Sequence, residues 1–335
     1  MTGLVKKFLA SASVIVGMSA VIGAPAMAAK FTVSGDDYNV YDSYNRFGKA
    51  QEDTTFKVSQ KQVNNFGGIN KVIDYILAGD SGTPGANIEL GQSEGNNSIV
   101  KINFQTESGK NVTISNDIKW TEELSRNWFS GIWEQVQQAT IESKKEAFAE
   151  SYAIRYVEST SDPNYNVRKQ QGKQIFETSY RKLYENYEQA LSSLIGLSSD
   201  DAYDKLGGWV DDILAMATDP NISYIYEDAG SLTVGLAGHY NLADRIAGGL
   251  AEKRDLLAFL LEGVQGSEIF AYNIDGKTGY GWSNSATYSG LKEKSDGFSH
   301  SGNYEVTIDV PEPSTILGLI AIGSLVVATK RKSAK

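Results

Sequence analysis

The side chains in this sequence best suited to chemistry are two histidines, His239 and His300, and several clusters of carboxylates. His239 stands in Gly235-Leu236-Ala237-Gly238-His239-Tyr240-Asn241, at the end of a predicted strand and before a predicted helix with Asn241 at its N-cap. An imidazole there works as a base, switch or ligand only beside a carboxylate or metal, and Asp244 and Asp228 are near enough in the chain to be the partner. A hydrogen-bonded structural role accounts for the same position. His300, in Ser299-His300-Ser301-Gly302, reads as a solvated loop residue. Two histidines this far apart, with no H-E-x-x-H run and no cysteine, give no zinc signature and no thiolate chemistry. The acids gather as Asp36-Asp37, Asp200-Asp201 with Asp204, Asp211-Asp212 and Asn273-Ile274-Asp275-Gly276, none with the spacing of an EF-hand loop. Those on predicted helices suit the positive end of a helix dipole or a solvated face. Glycoside hydrolysis needs two facing carboxylates, and chain spacing does not pair them across a fold. No residue is therefore assigned a catalytic, cofactor-binding or metal-binding role, and no catalysis is expected.

Rings are densest toward the C-terminus, where Tyr272, Tyr280, Trp282, Tyr288, Phe298 and Tyr304 sit amid Gly, Ser and Asn. Rings in strands either fill a core or stack on sugars from an exposed sheet. Tyr280, Trp282 and Tyr288 are the candidate ligand-facing rings, with extracellular polysaccharide as the candidate partner. A carbohydrate-binding surface module is thus the alternative to a purely sorted envelope protein, and a secreted hydrolase is a further one. Gly79-Asp80-Ser81-Gly82-Thr83-Pro84 resembles the nucleophile motif of trypsin-like serine proteases, with Thr83 where a glycine is expected. In that class the histidine base precedes the serine, whereas both histidines follow it here. A Gly/Pro surface loop between a helix and a strand explains the run.

The two chain ends read as addresses. Lys6 and Lys7 precede an apolar run from Phe8 to Ile22, and Ala26-Met27-Ala28 offers a small-residue cleavage site through Ala26 and Ala28. Residues 1–28 are predicted to be a secretory signal peptide. At the other end Val310-Pro311-Glu312-Pro313-Ser314-Thr315 leads into an apolar helix, 316–329, and then Lys330, Arg331 and Lys332. Each proline ring removes a donor and disfavours helix in the residue before it, so Pro311, Glu312 and Pro313 form a stiff extended step. The 14-residue run spans roughly 21 Å as a helix, short against a hydrocarbon core of about 30 Å. The three cations are a topological stop on the cytoplasmic side. This order resembles the PEP-CTERM sorting signal of Gram-negative bacteria. The resemblance covers about the last 26 residues and implies recognition by an exosortase, a membrane peptidase, after export by the general secretion machinery. It implies a transient inner-membrane anchor, then a place in the cell envelope or outside the cell, and it says nothing about the fold of residues 29–309.

That body is acidic. Residues 29–313, without Lys6, Lys7, Lys330, Arg331, Lys332 and Lys335, keep 25 of 31 bases against 41 acids, a net charge of about −16. Such a charge favours solubility and disfavours nucleic acid as a partner. The predicted fold class is α+β, an antiparallel sheet with a helical middle region, flanked by the signal peptide and a short C-terminal membrane helix. Residues 29–120 read as β-rich, 121–218 as helical and 219–309 as mixed, before the sorting tail 310–335.

Period and punctuation place the elements. Ile99 to Phe104 and Asn111 to Ser115, joined across Glu107-Ser108-Gly109-Lys110, read as a hairpin. Ile69, Val72, Ile73 and Ile76 stripe a short helix. Thr121 caps a helix with Leu124, Trp128, Ile132 and Val136 on one face. A second helix carries Phe176, Tyr180, Leu183, Tyr187, Leu191 and Leu194, and a third runs from Ser198-Ser199 past Leu206, Trp209, Val210, Ile213 and Leu214 to the stop at Asp219-Pro220. Ile222 to Tyr226, Ser231 to Leu236 and Ile269 to Ile274 read as strands, and Leu242 to Val264 as a helix. Tyr304, Val306, Ile308 and Val310 alternate with Glu305, Thr307 and Asp309 in a strand buried on one face.

Overall fold

The structure, a computed structural model, describes residues 30–42, 54–78, 86–91, 98–157, 162–228, 230–247, 254–293 and 299–310. Outside the described residues lie the signal peptide with Ala26 and Ala28, the Gly79 to Pro84 run, and the sorting tail with Pro311, Glu312, Pro313, the run 316–329, and Lys330, Arg331 and Lys332. Among the described residues no helix is long and apolar enough to cross a membrane.

The chain opens with β1 (Thr32–Ser34), β2 (Tyr38–Asp42), β3 (Thr54–Lys57), α1 (Gln60–Phe66), α2 (Ile69–Leu77), β4 (Ala86–Leu90), β5 (Lys101–Gln105) and β6 (Asn111–Ser115). A helical stretch follows: α3 (Glu122–Gln138), α4 (Ile141–Tyr156), α5 (Tyr165–Ile195), α6 (Ser199–Leu206) and α7 (Gly208–Ala215). It closes with β7 (Asn221–Asp228), β8 (Ser231–Gly238), α8 (Leu242–Ala247), α9 (Arg254–Leu261), β9 (Phe270–Ile274), β10 (Lys277–Gly281), β11 (Ala286–Tyr288), β12 (Lys292–Glu293) and β13 (Gly302–Asp309).

Among the described residues the strands make two sheets where one was expected. Five are ordered β1-β5-β6-β9-β10, and eight are ordered β11-β13-β8-β7-β4-β2-β3-β12. Pairing is antiparallel except between β12 and β3. One apolar cluster joins both sheets and α2: Phe31, Ile102, Phe104 and Ile114 on one side, Ile88, Val234, Leu236 and Tyr304 on the other, with Val72, Ile73 and Leu77 from the helix. Side chains of this size each contribute about 1.5–3 kcal/mol when fully buried. In β13 the period of two is strict, with Tyr304, Val306 and Ile308 buried while Glu305, Thr307 and Asp309 are exposed.

The helices build a second cluster from Trp128, Phe129, Trp133, Phe176, Val210 and Phe259. Thr121 caps α3 by accepting from the Leu124 N–H at 3.1 Å. Three helices were expected over 121–218, and five are present among the described residues. Helix α4 buries Lys144, Ala149, Ala153 and Ile154, with one large apolar side chain among them, and it packs against α5 at Gly172, where a Cβ would come within 2.8 Å of the Ala149 Cα. Gly207, at φ +50, breaks the third expected helix into α6 and α7. The helix expected over Leu242 to Val264 is likewise two, α8 and α9, and the second ends in a turn where Gly263 has φ +76.

Candidate functional site: an acid-lined cavity

The face of the eight-stranded sheet opposite its apolar core is polar. In β4, Ile88 and Leu90 point to the core, so Asn87 and Glu89 point the other way. Glu89 lies across from Asn39 on β2 and from Asn221 on β7, and Tyr41 follows Asn39 on the same face. Of these, Tyr41, Glu89 and Asn221 floor a cavity of about 340 Å³, whose walls come from Asp219 before β7, Ala237 and Gly238 at the end of β8, His239 just beyond, Arg245 on α8, Glu268 before β9, Glu293 on β12, and Ser299 and His300 before β13.

Tyr304 fixes two of these walls. Its hydroxyl, fully buried, donates to the His239 carbonyl at 2.5 Å and accepts from the Gly266 N–H at 3.1 Å. Trp128 of α3 donates its indole N–H to the Ser267 carbonyl at 3.1 Å, so the segment bearing Glu268 is held by the sheet on one side and the helical layer on the other. Helix α8 starts at Asn241, whose Oδ1 accepts from the Ala243 and Gly263 N–H groups at 3.2 and 3.0 Å. That cap aims Arg245 into the cavity.

Arg245 bridges two carboxylates, donating from one terminal nitrogen to Glu268 Oε1 and from the other to Asp219 Oδ1, each at 2.9 Å. Glu89 accepts from Asn39 Nδ2 at 2.6 Å and from the Tyr41 hydroxyl at 3.3 Å. Burial dominates the electrostatics. It pushes Glu268 up to about 8, with Asp219 and Glu89 adding to the shift and Arg245 opposing it. It also raises Asp219 against the pull of Arg245, and raises Glu89, to which Asp219 adds. Burial, then the neighbouring Arg245 and His300, hold the His239 imidazole well below its usual value, so it is neutral at pH 7. Among the described residues, Glu268 Oε2 and Asn221 Oδ1 on the walls have no hydrogen-bond partner.

Both histidines reach this cavity, which their separation in sequence did not suggest. His239 Nε2 lies 3.3 Å from Ser299 Oγ. The carboxylates proposed for it go elsewhere, with Asp244 pairing to Arg155 at 3.0 Å and Asp228 at the exposed end of β7. His300 is not solvated as expected. It is 5% exposed, with Nδ1 2.7 Å from Thr55 Oγ1 and its ring edge-on to Tyr41 at 4.8 Å. Asp219 and His300 both have left-handed backbone, φ +60 and +65, a conformation uncommon outside glycine. Sequence reasoning missed Tyr41, Glu89, Asp219, Arg245 and Glu268 as a group, and the one available signal was the alternation of Asn87 and Glu89 with Ile88 and Leu90. The acidic clusters read from sequence lie elsewhere: Asp200 and Asp204 pair with Arg126 on the helical surface, and Asp275 with Lys110. Among the described residues no three His, Asp or Glu side chains are grouped so as to hold a metal ion.

Of the rings proposed to face a ligand, Tyr280 and Trp282 share a second cavity, of about 400 Å³, with Tyr272 and the edge of β13. A neighbouring groove of about 370 Å³ extends it over Asn103, Thr113, Asn273 and Thr278, the polar face of the five-stranded sheet. Tyr288 lies apart, edge-on to Tyr240 at 5.8 Å.

Comparison with known families finds one described as the PEP-CTERM protein-sorting motif, which matches residues 309–332. The chain thus carries, at its C-terminus, the sorting motif of an exported protein processed by an exosortase at the membrane. Comparison with curated proteins and with solved structures gives no match.

Proposed function

We propose that, after export and exosortase processing, the body resides in the cell envelope or extracellular matrix and works there by holding polysaccharide rather than by turning it over. The observation that carries this reading is the junction at Asp309, the last residue of β13 and the first of the sorting motif. The tail therefore leaves the central sheet with no linker, and the body is held close to whatever the processed end is attached to. The cavity of Tyr280 and Trp282 borders the same β13 edge. Its half-buried rings, beside a polar face of Asn and Thr side chains, suit the stacking and hydrogen bonding of sugar rings. The reading without turnover is supported by the way the acids of the other cavity are held, Glu89 by Asn39 and Tyr41, and Asp219 by Arg245.

One fractionation tests the reading. The protein is recovered from cytoplasm, membranes, medium and extracellular polysaccharide, and its intact mass is measured in each. Cleavage after Ala28 and near Pro311-Glu312-Pro313 is expected in the polysaccharide fraction, and Trp282→Ala is expected to move the processed protein into the medium. A soluble, uncut chain in the cytoplasm overturns the export reading, and a Trp282→Ala protein that stays with the polysaccharide overturns the role of the rings.

A further inference from the structure

The cavity of Glu268 and Arg245 lies apart from the ring-bearing face, and its chemistry calls for a different ligand. Its walls present four carboxylates, Glu89, Asp219, Glu268 and Glu293, against one guanidinium, Arg245. Arg245 is already shared between Asp219 and Glu268 at 2.9 Å each, so an arriving anion would have to displace those pairs. The unmet valences are acceptors. Glu268, only 3% exposed, leaves Oε2 without a partner, and Asn221, 7% exposed, leaves Oδ1 without one. Glu268 Oε2 is turned toward the bare backbone of Gly238, where an added Cβ would lie 3.1 Å from it. A side chain at that position would crowd the oxygen, and glycine leaves that space free.

From this pattern we propose that the cavity is a binding site for a small hydroxylated primary amine, of which an amino sugar with a free ammonium group is the type. The ammonium sits against Glu268 Oε2 and Asn221 Oδ1, donating to two buried acceptors whose hydrogen bonding is otherwise unmet. A charged donor also relieves the repulsion among Glu268, Asp219 and Glu89, the same crowding that a proton relieves when burial pushes Glu268 up to about 8. The hydroxyl requirement comes from the remaining walls, since Tyr41, Ser299 and the two imidazoles are polar and only Ala237 and Gly238 are not. A volume of about 340 Å³ lies at the small end of the usual range for ligand sites, about 300–1,000 Å³, and so suits one sugar ring better than a chain.

The test is calorimetric titration of the full-length chain in detergent at pH 7 with glucosamine, N-acetylglucosamine, glucose and calcium chloride as separate probes. Glucosamine is expected to bind at least tenfold more tightly than either sugar lacking the free amine, and Glu268→Gln, which keeps the shape but has no proton to give up as the ammonium arrives, is expected to weaken it at least tenfold. Lys173→Ala, on the α4–α5 surface away from both cavities, is expected to leave glucosamine binding unchanged, which separates the effect of Glu268→Gln from a general effect of substitution. Equal binding of the three sugars, indifference to Glu268→Gln, loss of glucosamine binding when calcium is present at equal concentration, or no heat with glucosamine would each overturn the proposal.

Discussion

Two ion-pair networks in this molecule use the same chemistry in opposite settings. On the α4–α5 surface, Lys169 and Lys173 pair with Glu146, and Lys169 also reaches Glu150 at 2.7 Å. There the hydrogen bond from Lys173, the largest influence, helps hold the Glu146 carboxyl below its usual value. In the cavity, Arg245 sits 2.9 Å from Glu268, yet Glu268 is pushed up to about 8. The partner is at least as good, so the difference lies in the water. Where solvent remains, the charged pair keeps its hydration and the cation wins; where burial strips it, the desolvation cost exceeds the Coulomb gain. A carboxyl poised to exchange its proton near neutrality therefore arises where enclosure removes the water.

The sharpest way to break this contrast is to remove the shared cation. Arg245→Ala strands Asp219 and Glu268 without their counter-charge, and a loss of about 3–5 kcal/mol is expected by denaturant unfolding at pH 8. Arg245→Lys should recover part of it, because lysine restores the charge but not the two-armed geometry. A loss below 1 kcal/mol for Arg245→Ala would show that solvent reaches the cavity freely.

The next effect is a pH slope. Folded Glu268 keeps its proton up to about pH 8, whereas in the unfolded chain it ionises near the ordinary glutamate value. Between those limits the folded state binds more protons, so stability falls as pH rises. Glu262, also pushed up to about 8 by burial with Asp244 beside it, acts in the same direction. His239, kept neutral by burial, acts in the opposite direction below its ordinary value of 6.5, so pH 6.5 to 8 is the window to read. Over it, Glu268 facing Arg245, Asp219 and Glu89 accounts for about 2 kcal/mol at about 1.4 kcal/mol per unit. Glu268→Gln is expected to flatten the dependence of Tm on pH by roughly half. An unchanged slope would place the titration elsewhere.

The reach of sequence reasoning follows the same physics. Strand β13 was legible because large apolar and polar residues alternate strictly from Tyr304 to Asp309, and the β5–β6 hairpin because turn residues punctuate it. Helix α4 was not, since its buried face is made of Lys144, Ala149, Ala153 and Ile154, which leave almost no apolar period. The break at Gly207 was hidden because Leu206 and Val210 keep the helical stripe running across a residue whose φ of +50 ends the helix. The cavity was the least legible feature. Its members come from strands and turns far apart in the chain, and charge desolvation is a property of what covers a side chain. His239 and His300 were each noticed, but only Thr55, Ser299 and Tyr41 in three dimensions make them neighbours of one site.

The smallest expected effect lies on the surface network and is the control that gives the comparison its meaning. Lys173→Ala removes the cation that most strongly lowers Glu146, but Glu146 retains Lys169 at 3.4 Å and is almost half exposed. Exposed pairs of this kind contribute about 0.2–1 kcal/mol, and salt screens them. The expected loss is therefore below about 1 kcal/mol at low ionic strength, shrinking further in 1 M salt, where the Debye length falls to about 3 Å. The Arg245 cost should change little under the same salt, because the cavity pair is largely shielded from solvent ions. If both losses shrank alike with salt, the two networks would share one environment, and enclosure could no longer explain why their carboxyls shift in opposite directions.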